Sequence, residues 1–181
     1  MRDRAAISRA AFSQRFRVCN IQLTGSHAPE LPSHKMTHIA LAETDDEILQ
    51  CHPVMVQLRP HAPLDGFVAR IRRMQSTGFR LAYLSDSEDV QAVAGFRVLD
   101  QLVSGRVLYV DDLVTNENQR SAGHGAALLT WLQEWARADG CEFLELDSGV
   151  HRAGAHRFYF RHGLSIIGYH FRTAPLRKTE S

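Results

Sequence analysis

The feature that most constrains this chain is a glycine-containing connection between a predicted strand and a predicted helix. The strand is the apolar run at 106–114, and the helix carries apolar residues at helical spacing, namely Leu128, Leu129, Leu132, Trp135 and Ala136. The connecting residues are Gln119, Arg120, Ser121, Ala122, Gly123, His124, Gly125 and Ala126. Glycine has no Cβ atom, so Gly123 and Gly125 allow an anion to approach the backbone, and a helix start offers unpaired N–H groups. The connection therefore predicts a cradle for a phosphate group, and a tight turn without a ligand is the simpler alternative.

Two other nucleotide-binding loops do not fit this connection. A P-loop needs a Gly-Lys-Ser/Thr sequence, which is missing here. The dinucleotide-binding fingerprint needs a third small residue at the position that Leu128 occupies.

Composition limits the protein class and the partners. The chain has 181 residues, 44% of them hydrophobic, with a formal net charge of +1, which predicts a globular protein without a general attraction for nucleic acid or membranes. No apolar run approaches the roughly 18 residues that a membrane span needs. Cys19, Cys51 and Cys141 are odd in number and far apart, which argues against a disulfide framework. We therefore expect a cytoplasmic protein with neither nucleic acid nor a membrane as partner.

The first 35 residues differ from the rest of the chain. They contain six basic and two acidic residues, and their apolar residues are scattered. We interpret residues 1–35 as a flexible basic N-terminal extension or the result of a start codon placed upstream of Met36. Residues 36–181 are predicted to form one domain.

The remaining elements predict an α/β fold of the α+β type. Strands are expected at 38–41, 79–85, 90–99, 106–114, 142–147 and 166–171, and helices after Thr44, near 64–77, after Gly123 and at 153–162. Thr44 and Glu47 form a capping box, and Pro53 is expected to kink the helix that follows. Strands alternate with helices only in the second half, so we expect a mixed central sheet of about six strands with an antiparallel first half, flanked by about four helices.

Two motifs together resemble the GNAT superfamily of acetyl-CoA-dependent N-acetyltransferases. The segment Val110-Asp111-Asp112-Leu113-Val114-Thr115, followed after four residues by Arg120-x-x-Gly123-x-Gly125, resembles the pyrophosphate loop of that superfamily. The segment 155–164 resembles its second signature, Ala-x-x-Phe-Tyr-x-x-x-Gly-Phe, with Leu164 in place of phenylalanine. The order and spacing of the motifs also agree. One departure is Arg152, which stands where asparagine often holds the cofactor.

The resemblance implies a GNAT-like fold and acetyl-CoA as co-substrate. The pantetheine arm would lie in a V-shaped opening between strands 106–114 and 142–147, bound by backbone groups of Leu113, Val114 and Thr115. The pyrophosphate would be bound by Arg120, Ser121, Ala122, Gly123, His124, Gly125 and Ala126. Arg152 would meet a phosphate in place of the asparagine contact, or that contact would be absent. An amine would attack the thioester directly, because no cysteine lies in either motif and no Ser-His-Asp arrangement is evident.

The chemistry needs an acid for the departing thiolate and a base for the acceptor ammonium. The resemblance suggests Tyr159 as the acid, although Phe158 and Tyr159 could instead be core aromatics. The carboxylate candidates for the base are Asp111, Asp112, Glu145 and Asp147, and His151 and His156 are left open as groups that could shuttle protons. Strict alternation along the strands places Asp111 on one face with Tyr109 and Asp112 on the other face with Val110. We favour Asp112 because it directly precedes the cofactor-binding backbone.

The acceptor is expected to be a primary amine of a small molecule or of a protein. A non-catalytic acyl-CoA-binding regulatory module on the same fold is the alternative function, and a homodimer is left open. The ten histidines lack the spacing of metal ligands, so no metal is predicted.

Overall fold

The computed structural model describes residues 37–87 and 89–176, and within them five strands form a single sheet. The strands are β1 (Thr37–Leu41), β2 (Arg80–Asp86), β3 (Asp89–Gln101), β4 (Gly105–Thr115) and β5 (Phe143–Leu146), and they lie in that spatial order. The first four pair antiparallel as a meander, and β5 pairs parallel with β4. The predicted mixed sheet with an antiparallel first half is therefore confirmed.

Four α-helices and one short 3₁₀ helix accompany the sheet in the described residues. They are α1 (Asp45–Leu58), α2 (Phe67–Gln75), the 3₁₀ helix (Glu117–Gln119), α3 (His124–Ala138) and α4 (Ala153–Arg161). The capping box at α1 is present, because Thr44 Oγ1 accepts a hydrogen bond from Glu47 N and the Glu47 carboxylate accepts one from Thr44 N. Pro53 lies inside α1, which continues for five residues to Leu58.

Apolar side chains on the two faces of the sheet form two core clusters. The first joins α1 and α2 to the sheet and includes Ile48, Phe67 and Val93. The second joins α3 to the opposite face and includes Phe96 and Leu132. Strand β3 contributes alternate residues to the two clusters, as a strand that is buried on both faces must. The pairing register with β3 therefore shows which face of the sheet a β4 side chain occupies.

The predicted sixth strand at 166–171 is wrong. These residues lie in an irregular C-terminal segment, and Ile166 and Phe171 are 66% and 90% exposed. Isoleucine and aromatic residues favour strands, but a strand also needs a neighbouring edge with which to exchange backbone hydrogen bonds. The described part of the sheet ends at β5, so the segment contributes side chains near the cleft but no sixth strand.

Residues 1–35 lie outside the described residues, so the division into an extension and a domain stays a prediction. We expect a shortened chain that starts at Met36 to fold and to bind acetyl-CoA like the full chain, because the described elements begin at Thr37. Thermal unfolding with and without acetyl-CoA would check this. A shortened chain that did not fold would instead show that residues 1–35 pack on the domain.

Candidate active site

A cleft opens where β4 and β5 stop pairing. The last pair in the parallel register is Val110 with Leu146, and β4 continues to Thr115 while it remains paired with β3. At 111–115, the edge of β4 that faces away from β3 therefore forms no backbone pairs with β5. The associated cleft has a volume of about 1480 Å³ and is lined by β4, β5, α4 and the C-terminal segment. Leu113, Val114 and Thr115 lie on this stretch of β4, and their role in binding the pantetheine arm stays a prediction.

A β-bulge in β4 changes which side chains face this cleft. Gly95 pairs with Asp112 but Phe96 pairs with Val110, so Asp111 is an extra residue in the ladder. A bulge interrupts the alternation of side chains. As a result, Asp111 contacts Arg97 and Asp112 contacts Arg59, whereas Val110 lies in the core cluster with α3 on the opposite face. The expectation that Asp112 shares a face with Val110 is therefore wrong.

Two arginines hold these two aspartates. Arg59 Nε donates a hydrogen bond to Asp112 Oδ1 at 2.5 Å, and Arg59 Nη2 donates one to the Asp111 carbonyl oxygen at 3.1 Å. Arg97 Nε donates to Asp111 Oδ2 at 2.8 Å. Burial raises the pKa of Asp111, and the ion pair with Arg97 opposes this shift. Arg59 thus ties the connection between α1 and α2 to the bulge, while its side chain remains 55% exposed.

A second polar group lies where β5 ends. The Tyr109 hydroxyl donates a hydrogen bond to Asp147 Oδ2 at 2.5 Å, and His170 Nδ1 lies 2.8 Å from the same oxygen. Burial and the hydrogen bond to Asp147 raise the pKa of Tyr109, so it remains a protonated donor. Glu145 pairs in register with Tyr109 and also lines the cleft. These contacts bring β4, β5 and the C-terminal segment together.

The glycine connection forms the start of α3. Gly123 has φ of +90°, a left-handed conformation that favours glycine, and no atom lies within 4 Å of the point that a Cβ atom would occupy. A Cβ atom at Gly125 would lie 2.8 Å from Thr115 Oγ1. No side chain of the described residues caps the start of α3. This helix start is thus open, close to the end of β4 and uncapped, which are the features that let backbone N–H groups receive a phosphate.

Helix α4 brings Tyr159 into the cleft. Tyr159 is half-buried and lines the cleft, and its ring contacts that of Phe158 edge-to-face at a centroid distance of 5.5 Å. Burial raises the pKa of Tyr159, and the nearby charge of Arg152 opposes this shift. Phe158 instead approaches the glycine connection, since a Cβ at Gly125 would lie 3.8 Å from its Cζ atom. The two aromatic residues therefore have different surroundings.

Most of the residues predicted to form the site fall into two neighbouring groups, whereas the side chain of Val114 packs against the core cluster with α1 and α2. Asp112, Leu113, Arg152 and Tyr159 line the cleft. Arg120, Ser121, Ala122, Gly123, His124, Gly125 and Ala126 lie at or just before the start of α3, and Thr115 at the end of β4 connects the groups through its approach to Gly125.

Tyr109, Arg59 and His170 were not selected from the sequence as functional residues. Their partners depend on the strand register and on the bulge, which motif spacing does not reveal.

The described residues also limit other chemistry. Burial, followed by the charge of Glu47, raises the pKa of Cys51 to about 12, so this core thiol is a poor nucleophile at neutral pH. Within 37–87 and 89–176 there is no cluster of three or more histidine, cysteine or acidic side chains suited to a metal ion. None of the helices in these ranges is long and apolar enough to cross a membrane.

Comparison with known proteins identifies the family. Residues 36–164 match the model of the acetyltransferase (GNAT) family. The chain is 32% identical over 139 residues to a Bacillus subtilis (strain 168) protein named Uncharacterized N-acetyltransferase YhdJ, covering 76% of this chain and 98% of that protein. It is 29% identical over 145 residues to the aminoalkylphosphonate N-acetyltransferase of Salmonella typhimurium (strain LT2), covering 80% of this chain and 93% of that enzyme.

A solved structure agrees at the level of the fold. The aminoglycoside N-acetyltransferase AAC(6')-Iy in complex with CoA superposes with a TM-score of 0.68 at 16% identity, covering 82% of this chain and 98% of that one.

Proposed function

This chain belongs to the acetyltransferase (GNAT) family and is an N-acetyltransferase, and we propose that it uses acetyl-CoA to acetylate a small, amine-bearing molecule at the cleft between β4 and β5. One observation carries the proposal. The point where β4 and β5 stop pairing, which we call the β4–β5 split, lies close to the uncapped, glycine-containing start of α3 and to Tyr159. Nothing in the comparisons favours the non-catalytic alternative, because the relatives are named N-acetyltransferases.

Acetyl-CoA is the proposed donor because the residues present suit its parts. The open backbone at Gly123 and the free helix start suit the pyrophosphate, with Arg120 and Arg152 as further cationic contacts. The free edge of β4 at Leu113, Val114 and Thr115 suits the pantetheine arm, because its backbone groups can form strand-like hydrogen bonds. When bound, acetyl-CoA supplies the acetyl thioester that the acceptor amine attacks.

Tyr159 is the proposed general acid. It lines the cleft, and its raised pKa keeps the phenol protonated at neutral pH. A CoA thiolate, with an ordinary thiol pKa of roughly 8.5, needs a proton as it leaves. Tyr159 can supply that proton from its hydroxyl and recover one through water in the open cleft.

Asp112 is proposed to take part through its charge. Its carboxylate is only 13% exposed and is held by Arg59. Because Arg59 already bonds one oxygen of this carboxylate, we assign to Asp112 the electrostatic attraction of an ammonium group. Asp112 would thereby attract the acceptor to this side of the cleft and hold Arg59 in place.

The proposed acceptor is a small amine that also bears an anionic group. The Salmonella relative is named for aminoalkylphosphonate, and the cleft here offers both kinds of partner, carboxylates for an ammonium and the 55% exposed guanidinium of Arg59 for an anion. Arginine is well suited to phosphonate or carboxylate oxygens because it presents several N–H donors in one plane.

A panel of amines would test this proposal. Thiol release from acetyl-CoA is measured with 2-aminoethylphosphonate, ethylamine, an aminoglycoside, a linear polyamine and a peptide with a free N-terminus. We expect the highest kcat/KM with 2-aminoethylphosphonate, and in Arg59→Gln a larger loss for this acceptor than for ethylamine, which has no anion. Equal losses for both amines would contradict the anion-binding role of Arg59, and preference for the peptide would point to a protein acceptor.

We also propose a cytoplasmic location and a homodimer. The free thiols Cys51 and Cys141 suit a reducing compartment.

The proposed homodimer rests on the C-terminal segment. It exposes the apolar side chains of Ile166, Ile167, Tyr169 and Phe171, which a second copy could cover. Light scattering after gel filtration would give the oligomeric state.

A further inference from the structure

Four carboxylates surround the β4–β5 split, and three of them have partners within the described residues. We call Asp111, Asp112, Glu145 and Asp147 the cleft carboxylates; all four line the cleft. Asp112 pairs with Arg59, Asp111 pairs with Arg97, and Asp147 accepts a hydrogen bond from Tyr109 and lies beside His170. Glu145 has neither a hydrogen bond nor an ion pair with residues in 37–87 or 89–176.

Glu145 lines the cleft next to the point where β4 and β5 stop pairing. It lies in β5 opposite Tyr109, one residue before the last β4–β5 pair. Its neighbours Leu144 and Leu146 pack against the core cluster with α3, so alternation along β5 directs Glu145 to the other face, where Tyr109 and the aspartates of the bulge lie. The side chain is half-buried. A carboxylate that is partly withdrawn from water and lacks a partner is stabilised when a cation arrives.

The other three carboxylates are each held in place by their partners. Arg97 lies in β3, so its ion pair holds Asp111 towards the side of β4 that faces away from β5. Asp112 also lies close to β3, since its Oδ2 would be 3.2 Å from a Cβ atom at Gly95, and Arg59 holds its other oxygen. The hydrogen bond from Tyr109 engages Asp147 whether or not His170 is charged. Each of these three carboxylates already has a partner that an incoming ammonium group would have to displace or share. Glu145 has none within the described residues, so its oxygens are free to bind the ammonium directly.

We propose that Glu145 binds the ammonium group of the acceptor and accepts its proton, an assignment that rests on the proposed acetyl transfer at this cleft. One N–H bond of the ammonium breaks, an O–H bond forms on the Glu145 carboxylate, and the electron pair stays on nitrogen. That pair then forms the C–N bond as the C–S bond breaks. The thiolate takes the Tyr159 proton, and the second proton lost by nitrogen restores Tyr159 through water. Glu145 returns its proton to solvent, so each turnover releases one proton in total.

The test compares Glu145→Gln with the wild type across pH, using the best amine of the panel. A base is needed only while the amine arrives protonated, so we expect kcat/KM of Glu145→Gln to be about 100-fold lower at pH 7 and within about fivefold of wild type near pH 10, where free amine is abundant. Tyr159 is common to both proteins, and the raised pKa that burial gives it does not depend on Glu145. The charge of Glu145 is one of the causes that raise the pKa of Tyr109, so the same comparison is also made in a Tyr109→Phe background. Glu145→Asp, which keeps a carboxylate, should recover part of the activity at pH 7.

The control is Glu43→Gln, which makes the same charge change at an exposed residue before α1, outside the cleft, and should match wild type. A loss in Glu145→Gln that is the same at every pH would overturn the base assignment, and so would a pH-dependent loss in Asp112→Asn instead. An unaltered acetyl-CoA shift in melting temperature in these variants separates failure of Glu145 from failure of the donor site.

A second measurement does not depend on turnover. Ethylammonium chloride is titrated into protein labelled with ¹³C at glutamate side-chain carboxyls and saturated with CoA. One carboxyl resonance, missing in Glu145→Gln, should move on titration. If no glutamate resonance moves in wild type, ammonium binding at Glu145 is wrong, even where the panel contains no efficient acceptor.

Discussion

Acetyl-CoA is expected to raise the melting temperature of the wild type and to leave that of Gly123→Val unchanged. A ligand present at 100 times its Kd stabilises the folded state by about 2.7 kcal/mol, which corresponds to roughly 5–10 °C for a domain of this size. A valine at Gly123 puts methyl groups into the open space at the start of α3, where nothing lies within 4 Å of the point that a Cβ atom would occupy. Phosphate oxygens would then be displaced from the backbone N–H groups.

The matched control is Gly140→Val. Gly140 also has a positive φ, +75°, and open space where a Cβ atom would lie, but it is beyond the other end of α3. Both substitutions should carry a similar backbone strain, on the order of 1–2 kcal/mol, so the unliganded melting temperatures should fall alike. Only Gly140→Val should keep the acetyl-CoA shift. A wild-type shift in Gly123→Val would show that the phosphate does not bind at this helix start.

Gly125→Val should also abolish the shift, but for two combined reasons. Its Cβ would lie 2.8 Å from Thr115 Oγ1, so the end of β4 would have to move as well. This substitution therefore perturbs both the proposed phosphate site and the strand edge proposed for the pantetheine arm. The sequence motif does not distinguish the two glycines, whereas the structure shows open space beside Gly123 and a close contact with Thr115 at Gly125.

Much of this fold is predictable from local pattern. Five predicted strands and four predicted helices are present in the described residues, because their apolar periodicity, capping box and glycine ends act over a few neighbouring residues. The exception at 166–171 has the composition of a strand, yet a strand is completed only by a partner edge. Composition cannot say whether such an edge is available.

The face of Asp112 was mispredicted for a related reason. A single extra residue at Asp111 reverses the alternation for every residue that follows in β4, and the bulge exists only in the pairing of β4 with β3. The ion pair of Arg59 with Asp112 joins residues 53 positions apart and likewise requires the folded chain. Sequence motifs therefore predicted the kind of site. Which carboxylates have partners, and hence the proposed role of Glu145, could be found only from the pairing of the strands.

Tyr159→Phe is expected to lower kcat by at least about tenfold while leaving the fold and the affinity for acetyl-CoA intact. General acid catalysis typically contributes about 10²- to 10⁴-fold. The hydroxyl of Tyr159 has no hydrogen-bond partner among the described residues, so its removal breaks no contact within them and the ring keeps its packing against Phe158. A melting curve close to wild type together with an unchanged Kd for acetyl-CoA would assign the loss to the chemical step.

The pH dependence and a neighbouring variant sharpen this prediction. Because burial raises the pKa of Tyr159, the proton-donating form persists below and through the ordinary tyrosine pKa of about 10, and the kcat ratio of wild type to Tyr159→Phe should stay constant from pH 7 to about 9. Phe158→Leu, in contrast, should lower the melting temperature because it removes ring contacts with Tyr159 and His162. Wild-type kcat in Tyr159→Phe with an efficient acceptor would mean that water protonates the leaving thiolate, and Tyr159 would then be a wall of the cleft that shapes the path to the acetyl group.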